Sequence, residues 1–147
     1  MYSFLLPLHS ALRWIVILMM LLSLYIAYQG LMRRLSFTPA ANKIRHWTAT
    51  IVHIQFTLGM FLYLQSPIVK YVNTQQTFFR YIHIVLMLLA TVLVTIGSAK
   101  AKRMETAPSK YRTMLIWFLM ALIVILVAIP WPFSPLAVRP YFRPFNP

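Results

Sequence analysis

The chain has 147 residues, 61% of them hydrophobic, and sets fourteen Lys and Arg against one acidic residue, for a formal charge of +13. A soluble domain carries about a quarter charged residues, and the 10% found here is too few to build a water-facing shell, so an integral membrane protein is expected. One glutamate, no aspartate, no cysteine and three glycines exclude carboxylate pairs, thiolate metal sites, covalent c-type haem attachment and phosphate-cradling glycine loops.

The first apolar run, from about Leu8 to Leu31, reaches the ~20 residues that cross a bilayer. Pro7 suits a first helical turn, where its missing N–H costs nothing. A cleaved signal peptide is not expected, because the run lacks a basic leader and an A-x-A-like site and is interrupted by Arg13. His9 and Arg13 stand one turn apart on one face.

A second span is predicted from about Ile44 to Leu64 and opens on RHWTATIVHIQF. His46 and His53 are seven residues apart, which puts both imidazoles on one helix face, ~10.5 Å from each other. That face continues through Thr50 and Thr57 to Met60 and is expected to turn inward, since lipid tolerates such a stripe poorly. Gly59 beside it leaves room for a flat cofactor or another backbone. Ser66-Pro67 is a natural stop.

The third span runs from about Phe78 to Ala99, with His83 early in it and Arg80 three residues before. Below His83 its face carries Met87, Ala90, Val94 and Gly97, most of them small. The fourth runs from about Tyr111 to Ile129 and ends at Pro130-Trp131-Pro132. The remaining PWPFSPLAVRPYFRPFNP, residues 130–147, has too many prolines for a helix. It reads as an extended segment lying at the headgroups or docking on a partner subunit. The predicted fold is all-α: one membrane domain over residues 1–147, an integral membrane four-helix bundle with short loops and a Pro-rich extended C-terminal tail, with the lipid bilayer as its first partner.

The basic residues fall in short clusters between apolar runs, a distribution that suits anionic headgroups rather than nucleic acid. Arg33, Arg34, Lys43, Arg45, Lys100, Lys102, Arg103, Lys110 and Arg112 share one side of the membrane, and Arg13, Lys70, Arg80, Arg139 and Arg143 the other. Nine against five places both termini outside the cytoplasm.

All four histidines lie on the first three spans. Ionisable groups inside a membrane are costly and tend to mark function. Two neutral imidazoles from different helices would hold a b-type haem; alternatively, the imidazoles serve a quinone or proton site, or only hydrogen-bond between helices. Axial ligands must match in depth. Measured from Arg33, Arg45 and Lys100, His9 lies ~36 Å up, His83 ~25 Å and His53 ~12 Å. Measured from the outer ends at Pro7 and Phe78, the His9–His83 mismatch shrinks to ~5 Å. His9 and His83 are therefore the first choice as axial pair, with His53 as an alternative ligand or a quinone or proton contact. Arg13 and Arg80, at the outer headgroup level, would face the propionates.

LLPLHSALRW, RHWTATIVHIQ, the early histidine of span three and IPWPFSPLAVRPYF together resemble a family of small four-helix membrane proteins of Bacteroidota described as cytochrome b-like. The resemblance implies histidine-ligated haem and electron transfer near the quinone pool. For a bacterial chain in the inner membrane, the charge bias puts both termini in the periplasm. With no soluble redox domain, an electron-carrying or accessory subunit of a larger respiratory complex is expected rather than a standalone enzyme. A haemless structural subunit is the other reading.

Overall fold

The computed structural model describes residues 2–66, 77–134 and 137–141. Pro67, Lys70, Arg143 and the end of the proline-rich segment, to which the sequence assigns roles, lie outside the described residues. The described residues form four long helices and no strand. They are α1, Tyr2–Met32; α2, Pro39–Gln65; α3, Ile84–Arg103, entered through a π-helical turn at Phe78–His83; and α4, Ala107–Ala128. All four, counting the π-helical turn with α3, are long and apolar enough to cross a bilayer. The architecture is that of a multi-pass membrane protein.

The helices overrun the apolar runs at several ends. Pro7 sits inside α1 rather than at its first turn, because the helix already begins at Tyr2; the carbonyl of Ser3 there loses its usual N–H partner. At the start of α2 the Thr38 hydroxyl accepts from Ala41 N at 3.2 Å, and Pro39 occupies the first helical position. Thr106 does the same for Ser109 N at the head of α4. These caps precede the apolar residues, so a helix boundary drawn from hydropathy falls too late. At the other end of α1, Leu35 N donates to Gly30 O at 3.0 Å, with Arg34 in the left-handed conformation (φ 52°) that a glycine usually takes there.

Around the bundle α1 packs on α2 and α4, and α3 packs on the same two helices, so α1 and α3 face each other across the diagonal. Met20, Ala27, Val94, Ala101, Met114 and Phe118 are completely enclosed along the axis. The apolar surface points outward: Leu64 is 70% exposed and Leu18 65%, as expected where the solvent is hydrocarbon. Gly97 lets α3 approach α4, since a Cβ there would lie 2.4 Å from Trp117 Cβ.

Two polar groupings in the bundle are paired between helices. Thr48 donates to Met19 O at 3.3 Å and so accepts from Ser23 Oγ at 2.7 Å. Arg45, 5% exposed, donates to Asn42 Oδ1 on its own helix and to Ser98 on α3, at 2.9 Å for the Ser98 carbonyl. The buried face of α2 therefore runs through Ala41, Arg45, Thr48, Ala49 and Val52.

The His46–His53 stripe does not belong to that face. His46, His53 and Thr57 are exposed, which corrects the expectation of an inward polar seam. Thr50 and Thr57 donate to the carbonyls one turn back, His46 O at 3.1 Å and His53 O at 2.9 Å. A hydroxyl that bonds its own helix asks nothing of a neighbour, so this stripe can face lipid.

Candidate functional site

Between the diagonal helices, in the half of the bundle that holds the start of α1 and the end of α4, lies a cavity walled by α1, α2, the π-helical turn with α3, and α4. The cavity has a volume of about 170 Å³ and opens outward. Its lining is mostly apolar, with Val16, Val52, Met87, Ala90 and Ile125 among it, and His9, Arg13, Gln55, Thr91 and Arg139 bring polar groups to it. His9 and His83 both line it, the first from α1 and the second from the π-helical turn.

His83 is held by its own turn and by α4. In an α-helix residues five apart lie ~140° apart around the axis, whereas i→i+5 bonding brings them back towards one face. That turn sets Phe78 and Phe79 against the imidazole, with centroid distances of 5.8 and 5.9 Å. From α4, Ala128 O accepts the Nδ1–H of His83 at 2.8 Å. Ala128 closes its helix, so its carbonyl lacks an intrahelical partner and the imidazole supplies one. The bond fixes the tautomer and leaves the Nε2 lone pair available.

His9 is held differently. Gln55 Nε2, from α2, donates to the His9 main-chain carbonyl at 2.9 Å. The Cε1–Nδ1 edge of the ring turns to α2 at Gly59, where an added Cβ would stand 3.1 Å from Cε1. Gly59 thus makes room for this imidazole. His9 Nδ1 and Gln55 Oε1 are both buried and make no hydrogen bond.

Among the described residues two arginines line the cavity. Arg13 donates to Ser10 Oγ and to Tyr141 O, which Trp14 Nε1 also reaches at 3.3 Å. Arg139 lines the cavity with its guanidinium 5.1 Å from the Phe79 ring centre. Trp14, Trp131 and Tyr141 pack edge to face or tilted around this point, so residues 139–141 fold back over the bundle's own end. Arg80 is not part of the wall; its guanidinium lies 5.4 Å from the Tyr81 ring centre.

His53 lies outside the cavity as well. Thr95 donates to Thr91 O at 2.7 Å, so its oxygen accepts the Nε2–H of His53 at 2.9 Å. His46 is exposed beside Trp47, with ring centroids 6.1 Å apart. Sequence reasoning overlooked Gln55 and Arg139. Gln55 is two residues after His53 in the quoted motif, and its place on the Val52–Gly59 face was the available signal.

The donor set fits a bis-imidazole haem: two histidines from diagonal helices on one cavity, one with Nε2 free by hydrogen bonding, and two arginines on its wall. The enclosed volume alone is short of the ~300–1,000 Å³ of typical cofactor and ligand pockets, so a porphyrin would take the open part too and displace adaptable walls such as Met60 and Met87. Among the described residues no three or more His, Cys, Asp or Glu gather as a metal-ion site. No family model, curated protein or solved structure matches the chain.

Proposed function

We propose that this chain is a b-type haem-binding membrane subunit that carries electrons within or near a quinone-linked respiratory or redox assembly. The observation that carries the reading is the pair His9 and His83, on diagonal helices and on one cavity, with the His83 tautomer set by Ala128 O. Bound there, haem b supplies a one-electron couple in a site with a mostly apolar lining.

The chain's own residues do the rest. His9 and His83 would hold the haem iron through their ring nitrogens, and the carbonyl of Ala128 orients the second imidazole. Arg13 and Arg139 offer guanidinium donors to the propionate carboxylates. Val16, Val52, Ala90 and Ile125 keep water from the site. The proposal includes membership in the cytochrome b-like family and an inner-membrane location with both termini periplasmic. It also includes an extended proline-rich tail and assembly with other membrane subunits.

The test is a reduced-minus-oxidised spectrum of the purified protein. A bis-imidazole α-band from haem that acid acetone extracts supports the reading. Folded protein that takes up no haem, in the membrane or on reconstitution, overturns it in favour of a structural subunit.

A further inference from the structure

His9 Nδ1 and Gln55 Oε1 are two buried polar atoms without partners, on neighbouring helices, in one cavity. A buried polar atom left unbonded costs about 1–3 kcal/mol, so two at one place call for an explanation. They are complementary: a neutral imidazole protonated at Nδ1 has a donor there, and an amide oxygen only accepts. They are also tethered, because the other end of the same amide donates to the His9 carbonyl at 2.9 Å. The ring's Cε1–Nδ1 edge already faces α2 at Gly59, one turn beyond Gln55. The opposite imidazole, His83, shows the finished arrangement, with Nδ1–H on a carbonyl oxygen.

We propose that Gln55 is the positioning residue of His9: by a turn of the Gln55 side chain its Oε1 accepts the Nδ1–H of His9, as Ala128 O does for His83. The bond selects the Nδ1–H tautomer, turns Nε2 to the cavity and raises the basicity of Nε2. It rests on the haem reading above and adds which residue sets the electron affinity of the site through His9.

The experiment uses the full chain loaded with haem b, comparing wild type, Gln55→Leu and Gln55→Glu. Outer partners of this kind change metal affinity by ~10–100-fold. Losing the acceptor weakens ferric binding about tenfold relative to ferrous, so the Gln55→Leu potential rises by about 59 mV for the single electron. An ionised glutamate is a stronger acceptor, so Gln55→Glu, measured at alkaline pH, moves the potential below wild type. Both variants lose the donor to the His9 carbonyl, so a purely structural role for Gln55 shifts both the same way. Opposite shifts with low-spin spectra in both establish the proposal; shifts of one sign, or none in Gln55→Leu, overturn it.

A second measurement needs no variant of Gln55. In haem-free protein labelled with ¹⁵N-histidine and assigned through His9→Gln, His9 is expected neutral with its proton on Nδ1; a proton on Nε2 alone overturns the proposal. Wild-type protein that binds no haem but shows this tautomer leaves the positioning bond standing and removes the haem reading instead.

Discussion

His83, at the entry to α3, and Ala128, the last residue of α4, are joined by a 2.8 Å hydrogen bond from the imidazole Nδ1 to the main-chain oxygen. The bond satisfies two needs at once: a helix-terminal carbonyl without a partner and a buried ring N–H. It also aligns the N–H with the negative end of the α4 dipole. The two ring nitrogens of His83 therefore have separate roles, and replacements can be chosen that separate them.

Replacing either His9 or His83 with Ala should abolish low-spin haem, leaving high-spin or haem-free protein in absorption and paramagnetic resonance spectra. His53→Ala should keep the low-spin spectrum, because His53 Nε2 is engaged with Thr95 outside the cavity. Loss of low-spin haem in His53→Ala, with His9→Ala unchanged, would falsify the assignment of the pair.

Gly59→Ala and Gly97→Ala should diverge. At Gly59 the new methyl stands 3.1 Å from His9 Cε1, at a ring able to yield by a few tenths of an ångström. The gain of about 1 kcal/mol in helix propensity offsets much of the strain, so thermal stability should stay near wild type. Haem affinity should fall about tenfold as His9 is displaced, by analogy with other changes that disturb a ligand's support. At Gly97 the methyl meets Trp117 Cβ at 2.4 Å, and that atom is fixed to the α4 backbone. Overpacking of this kind costs about 1–3 kcal/mol. A lowered unfolding temperature in detergent is expected, and a Gly97→Ala protein as stable as wild type would contradict the close α3–α4 approach.

Arg45→Lys should destabilise by about 1–3 kcal/mol, because a single ammonium cannot reproduce the fork that spans Asn42 and Ser98. Unfolding midpoints in detergent measure this. Arg34→Gly should do the reverse, by about 1 kcal/mol, since it relieves the left-handed backbone at φ 52°.

Reporter fusions at Lys102 and at the C-terminus should report cytoplasm and periplasm respectively, because nine of the fourteen Lys and Arg lie in or beside the two loops assigned inward. The reverse pattern would invert the site's placement in the membrane.

The four apolar helices were legible because twenty or so apolar residues in a row have few other uses. Their ends were not, since Thr38-Pro39 and Thr106 lie in stretches that hydropathy ignores. The grouping of His9 with His83 followed from depth along straight helices. The direction of the His46–His53 stripe did not follow from its seven-residue spacing. Periodicity says which residues share a face, while the packing partners decide which face is inside; on α2 the inward face is the neighbouring one, through Arg45, Thr48 and Val52. Arg139 was beyond reach for a different reason: it lies on a segment without helical or strand period, whose course depends on what it touches.

The cavity draws its wall from position 9 and from positions 125–140, nearly the full length of the chain apart. During synthesis the first three helices can be made and inserted while the site still lacks the carbonyl that orients His83 and Arg139. Capacity for a ligand therefore arrives with the last helix, and a chain stalled or clipped before it presents two imidazoles with no pocket to share. If haem b binds as proposed, its uptake reports a completed bundle, and a loaded subunit is by that fact a fully made one.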